Sequence, residues 1–253
     1  MEGLMLGESI WLGWDQREAS AFAVARSTCR QHLTRPIPIY GLILDDLQKA
    51  GLYKRPIEYR PSAADKPVMW DVVSDAPQST EHANSRFFVP LLAKTGWALF
   101  CDGDVIFRSN AARLFDGLDR NKALYCVNHK HAQKPGTKMD GQVQQAYTRK
   151  NSSSVMIFNC DHPANRALTL DVLNTTPGRM LHRFCWLTDS DIGELDQSWN
   201  YLIGETAPIE KPVNIGHFTL GIPDMPGYRD CEFADEWRSS LNDWARGSRN
   251  IGA

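Results

Sequence analysis

Stretches of short apolar period alternate with stretches of helical period along this chain, and the switches between them predict an α/β order. Ser9-Ile-Trp-Leu12 reads as a first strand. Gly13-Trp14-Asp15 follows, then a helix to about residue 32, whose start carries an Asp15/Glu18 capping box. Residues 37–44 predict a second strand with a Pro-containing start, and 45–50 a short helix. Residues 80–94 predict a third helix, with Phe87, Phe88, Leu91 and Leu92 on one apolar stripe. Next comes Ala98-Leu-Phe-Cys-Asp-Gly-Asp-Val-Ile-Phe107, an apolar run that stops at two carboxylates one residue apart and then resumes. Further strands are predicted at 123–127 and 154–158, and helices at 162–174 and 233–246. Between two of these strands, residues 129–150 are rich in Lys, Gln and Gly without periodicity, as expected of a functional flap.

The interrupted run carries the first chemical signal. A buried strand ending there delivers Asp102 and Asp104 together at the strand end, the place where α/β folds bind ligands. Such a pair can ligate Mg²⁺ or Mn²⁺ through hard oxygens and leave positions open for a diphosphate. Asp-Gly is also an ordinary turn dipeptide, so the pair alone admits a purely structural reading.

Composition narrows the classes without naming one. The chain has 253 residues, 42% hydrophobic and 23% charged, which suffices for a full core. Lys and Arg number 28 against 30 Asp and Glu, a net charge of -2, so no global positive field draws in nucleic acid or an anionic membrane. Six cysteines are dispersed with no Cys-x-x-Cys pair, which suits reduced, mostly buried thiols. No signal segment opens the chain, and no apolar run approaches the roughly 18 residues of a membrane span, so a cytoplasmic protein is expected.

Six short motifs in order then carry a resemblance. Ser85-Arg-Phe-Phe-Val-Pro90, with Arg86, precedes Asp102-Gly103-Asp104, and Ser152-Ser-Ser-Val-Met-Ile-Phe158 follows. Asp189-Ser-Asp-Ile192, Leu195-Asp-Gln-Ser-Trp-Asn200 and Ile215-Gly-His-Phe-Thr-Leu-Gly221 complete the series. This order resembles nucleotide-sugar glycosyltransferases of the GT-A fold, in particular glycosyltransferase family 8, the glycogenin and lipopolysaccharide galactosyltransferase group. The resemblance implies a single Rossmann-like α/β domain over residues 1–253, with a mixed, mostly parallel central sheet flanked by helices. Residues 1 to about 125 would bind the nucleotide, and about 126 to 253 the sugar and acceptor.

What the resemblance implies for the site is specific. Asp102, Asp104 and His217 would hold the metal, with the imidazole tilting the choice toward Mn²⁺ over Mg²⁺. Trp14, Asp15 and Arg17 would meet the nucleobase or ribose, while helix capping alone also explains Asp15. Arg86 would donate to the diphosphate or donor sugar, or else pair with a nearby carboxylate. Gly103 and Ser153 would line the donor, and Asp189 and Asp191 would act at the reacting sugar or cap a helix. Trp199 and Asn200 read as structural.

One departure matters: the family's Lys-Pro-Trp is replaced by Ile222-Pro-Asp-Met-Pro226, so another cation must grip the diphosphate. Arg86, Lys138, Arg149 and Lys150 are the candidates. The expected activity is metal-dependent transfer from a nucleotide-diphosphate sugar, UDP-linked by default. The acceptor is open among a glycan, a small molecule, a protein and a modified DNA base. A nucleotidyltransferase or phosphohydrolase on a similar fold, and an inactive nucleotide-sugar-binding module, are the alternatives.

Overall fold

The computed structural model describes residues 7–61, 67–129 and 151–249. In chain order the strands are β1 (Glu8–Gly13), β2 (Ile39–Leu42), β3 (Ile57–Arg60), β4 (Val68–Asp71), β5 (Ala76–Pro77) and β6 (Trp97–Cys101). They continue with β7 (Val105–Phe107), β8 (Leu124–Asn128), β9 (Asn151–Asn159), β10 (Ile192–Leu195), β11 (Tyr201–Leu202) and β12 (Ile215–His217). The helices are α1 (Ala19–His32), α2 (Leu44–Lys49), α3 (His82–Ser85), α4 (Val89–Ala93), α5 (Leu170–Thr175), α6 (Gly178–Leu181) and α7 (Ala234–Arg249).

Six strands form the central sheet in the order β10-β8-β9-β6-β1-β2. Only β9 runs antiparallel to its neighbours, so the sheet is mixed and mostly parallel, as expected. Its middle strand explains the two-sided core. Every residue of Trp97-Ala-Leu-Phe-Cys101 is buried, the near-continuous apolar run that a strand covered on both faces requires. Leu99 and Cys101 pack with Ile10, Leu12, Ala25, Cys29 and Phe107, while Ala98 and Phe100 pack with Phe87, Phe88, Met156 and Phe158. Chain order reverses between β1 and its two neighbours, β2 on one side and β6 on the other. That reversal is a topological switch point, where a crevice opens at the carboxyl ends of the strands.

Two small sheets complete the fold. In the first, β12 lies between β11 and β7, and Phe218 N–H donates to the Asp104 carbonyl at 2.9 Å, fixing the chain beyond β12 against the Asp102–Asp104 turn. In the second, β3-β4-β5 form an antiparallel excursion that the periodicity did not suggest, because its strands are short and half exposed. A buried ion pair anchors that excursion. Arg55 and Asp71 are at most 2% exposed at their side chains and meet at 2.5 Å, and Arg55 also donates to the carbonyls of Leu173 and Thr176 at 2.9 and 2.8 Å.

Two predicted helices come out in pieces. Residues 80–94 fold as α3, a 3-10 turn and α4, and 162–174 as a 3-10 turn followed by α5. At the start of α1, Asp15 caps only a 3-10 turn over Gln16–Glu18, and the Glu18 side chain caps nothing. Four cysteines are buried and all six are unpaired, as their spacing implied. No helix among the described residues is long and apolar enough to cross a membrane.

Candidate active site

The turn after β6 and the end of β12 converge at the switch-point edge. His217 Nε2 lies 3.1 Å from Asp104 Oδ1 and 3.9 Å from Asp102 Oδ2, and the three donor atoms lie within 4.8 Å of one another. Gly103 allows this turn to sit close against β1, because a Cβ there would lie 2.3 Å from the Gly13 carbonyl oxygen.

Behind the three donors stand groups that orient them. Asn200, fully buried, lies with Oδ1 3.1 Å from His217 Nδ1 and donates through Nδ2 to Ser154 Oγ at 3.0 Å. An outer partner of this kind would fix the His217 ring with its other nitrogen toward Asp104, as metal-ligating imidazoles require. Asp102 Oδ1 is buried with Arg86 Nη1 at 2.9 Å and His82 Nε2 at 3.3 Å, both off the ideal hydrogen-bond line. Burial alone would raise the Asp102 carboxyl, but Arg86, His82 and His217 outweigh it and hold it well below the usual carboxylate range. His217 is raised despite its burial, because Asp104 and Asp102 face it. Two carboxylates and an imidazole, each offering a ligand atom within 4.8 Å of the others, fit a divalent cation. An ion held there would supply positive charge to an anionic group beside it.

Several expected residues gather here, with altered roles. Arg86 is buried and committed: Nη1 also donates to the Ser153 carbonyl at 2.8 Å, and Nε to the Ala83 carbonyl at 3.0 Å. Through Nη1 it also holds Asp102 at 2.9 Å, the carboxylate pairing that its position allowed. Ser153 adjoins the site, but its hydroxyl pairs with His182 Nδ1 at 2.7 Å. Burial, then Arg86, pushes His182 down to about 3, so that ring is neutral. Asp15 is closed on Arg17, accepting its backbone N–H and Nε at 2.9 Å and Nη2 at 2.6 Å, and also accepts the Glu81 N–H at 3.1 Å. Its four acceptor positions are filled, while Trp14 beside it is half buried and the Arg17 side chain is 61% exposed.

Asp189 and Asp191 lie elsewhere. In the sheet, Ile192 sits opposite Leu124, Leu124 opposite Phe158, and Phe158 opposite Ala98. The two aspartates thus stand at the amino-terminal edge, three strands across and the length of β6 away from Asp102, about 20 Å by strand geometry. Asp191 closes a capping box with Thr188 there, which is the helix-cap reading of Thr188-Asp-Ser-Asp191. Lys138, Arg149 and Lys150, together with residues 130–150 of the expected flap, lie outside the described residues.

Two groups beside the site were not read as site residues from sequence. His82 is four residues before Arg86, hence on the same helical face, a spacing that could have flagged it. Glu18 is half buried, and its carboxyl is pushed up to about 7, first by burial and then by Asp104 and Asp15. In the unfolded chain the same group titrates near 4.5, so between the two values the folded protein keeps a proton that the unfolded chain has released. Stability therefore falls as pH rises through that window. Glu18→Gln should raise the melting temperature of the metal-free protein by a few degrees at about pH 8 and change it little near pH 4.5. A difference that grew toward acid pH would contradict this.

No protein-family model matches the chain. It is 36% identical over 240 residues to Protein CDI of Arabidopsis thaliana, covering 93% of this chain and 86% of that protein. The chain belongs to the Protein CDI family. Among solved structures, this CDI-family chain superposes on the bifunctional glycosyltransferase WbbM with a TM-score of 0.60 at 12% identity, covering 95% of this chain and 50% of that one. GlyE of Streptococcus pneumoniae TIGR4 gives 0.57 at 13%, covering 96% and 64%. The galactosyltransferase LgtC, solved with donor and acceptor sugar analogs, gives 0.53 at 15%, covering 93% and 95%. The CDI-family chain thus spans half of WbbM and under two thirds of GlyE. These likenesses show the GT-A fold of glycosyltransferases.

Proposed function

We propose that the protein is a metal-dependent glycosyltransferase that moves a sugar from a nucleoside-diphosphate sugar, UDP-linked by default, to an acceptor. The observation that carries this reading is the convergence of Asp102, Asp104 and His217 at the switch-point edge of a GT-A fold. An imidazole beside two carboxylates favours Mn²⁺ over Mg²⁺. Asp102 and Asp104 would hold the ion, which would supply positive charge to the diphosphate, with His82 and Arg86 keeping Asp102 charged and aimed and Asn200 aiming His217. Trp14 and Arg17 border the nucleotide, and Ser153 stands where β9 meets the donor. The acceptor is a glycan, a protein, a small molecule or a modified base. One polypeptide is proposed to hold both halves of the site as a single domain, acting in the cytoplasm.

A panel of nucleotide-sugars tests this directly. Binding to the folded state alone raises stability by mass action, so a UDP-sugar should raise the melting temperature more with Mn²⁺ than with EDTA. Equal shifts in the two buffers would remove the metal from the reading. Stabilisation with Mn²⁺ but no release of UDP, with or without sugar acceptors, would favour a binding module.

A further inference from the structure

His82 occupies a place that the metal site alone does not account for. Its ring is 2% exposed and lies between two segments that arrive from different strands. Nδ1 is 3.2 Å from the Trp14 carbonyl oxygen, in the turn after β1, and Nε2 is 3.3 Å from Asp102 Oδ1, in the turn after β6. The ring thus stands between an oxygen of each turn, one nitrogen facing each. The neighbouring backbone is shaped around it: a Cβ on Gly13 would lie 2.6 Å from His82 Cγ, so only glycine lets β1 end against this ring. Phe100 closes another side, with ring centroids 6.2 Å apart.

We propose that His82 is a strut whose two ring nitrogens separately position the metal ligand Asp102 and the nucleotide-facing turn at Trp14. This rests on the metal and nucleotide reading above. His82 is a positioning residue, since it reaches the ion only through Asp102 and the nucleotide only through the Trp14 backbone. Removing an outer partner of a metal ligand weakens metal binding about tenfold to a hundredfold.

The two nitrogens can be removed one at a time. Gln places its amide nitrogen near the reach of Nε2, and Asn near that of Nδ1, so His82→Gln keeps the contact with Asp102 and His82→Asn keeps the contact with Trp14. Calorimetry with Mn²⁺ alone, and separately with UDP alone in EDTA, reads the two halves without turnover. The expected result is reciprocal. His82→Gln binds Mn²⁺ within about threefold of wild type and loses UDP affinity, whereas His82→Asn loses about tenfold or more in Mn²⁺ affinity and keeps UDP. General destabilisation would not produce that crossing. If wild type binds both probes and the two variants lose both equally, or lose neither, the strut is overturned while the metal site stands. If wild type binds no Mn²⁺, the metal site falls and the strut with it.

Discussion

Asp104→Asn should abolish Mn²⁺-dependent turnover of a UDP-sugar while leaving the protein folded. The substitution keeps side-chain volume and removes one ligand charge from a set in which His217 Nε2 stands 3.1 Å from Asp104 Oδ1. A Lewis-acid metal contributes several kcal/mol at a leaving group, and each 1.36 kcal/mol is tenfold in rate, so a loss of about a hundredfold or more is expected. Stability should hold, because the side chain sits in a turn at the sheet edge and its charge faces the half-buried carboxyl of Glu18. UDP release from donor hydrolysis, Mn²⁺ affinity and melting temperature together read the three parts. Turnover within about twofold of wild type at unchanged Mn²⁺ affinity would end the metal reading.

Asp71→Asn should do the opposite, destabilising the fold severely. Arg55 would be left buried beside a neutral amide, still bonded to the Leu173 and Thr176 carbonyls but without its counter-charge. Breaking a buried pair from one side typically costs about 3–5 kcal/mol, a large fraction of the roughly 5–15 kcal/mol that holds a protein folded. For a chain of this size the melting temperature should drop by roughly 10 °C. Ser74 would feel the change too, since its N–H donates to Asp71 Oδ2 at 3.0 Å and its hydroxyl also bonds that carboxylate. The paired replacement Arg55→Met with Asp71→Leu removes both charges and should recover much of the loss. A single substitution that melted within a degree or two of wild type would show that the Arg55 hub is dispensable.

Residues whose surroundings are local were legible in the chain. The continuous apolar run of β6 announced a strand buried on both faces, and its interruption at Asp102-Gly103-Asp104 announced where that strand emerges. The order of motifs placed His217 beside those carboxylates before any coordinate did. Asn200 read as structural, and it lies against the imidazole at the end of β12. The excursion of β3, β4 and β5 left no such mark, because short half-exposed strands lack both the alternation and the apolar run that make a strand visible.

Periodicity and motif order thus determined which segments are strands and helices, and which carboxylates stand at a strand end, since each depends on burial repeating over a few neighbouring residues. Tertiary structure alone decided which edge of the sheet each polar group reaches and which partner it meets there. Asp189 and Asp191 share a motif shape with active-site carboxylates, yet the register of β10 on β8 carries them to the far edge. Asp15 and Arg86 have the right chemistry, but Arg17 closes one and Asp102 engages the other. His82 and Glu18 acquire their surroundings only when the turn after β6 packs against the start of α1. Strand order and register join residues tens of positions apart, and no local repeat in a sequence encodes that pairing.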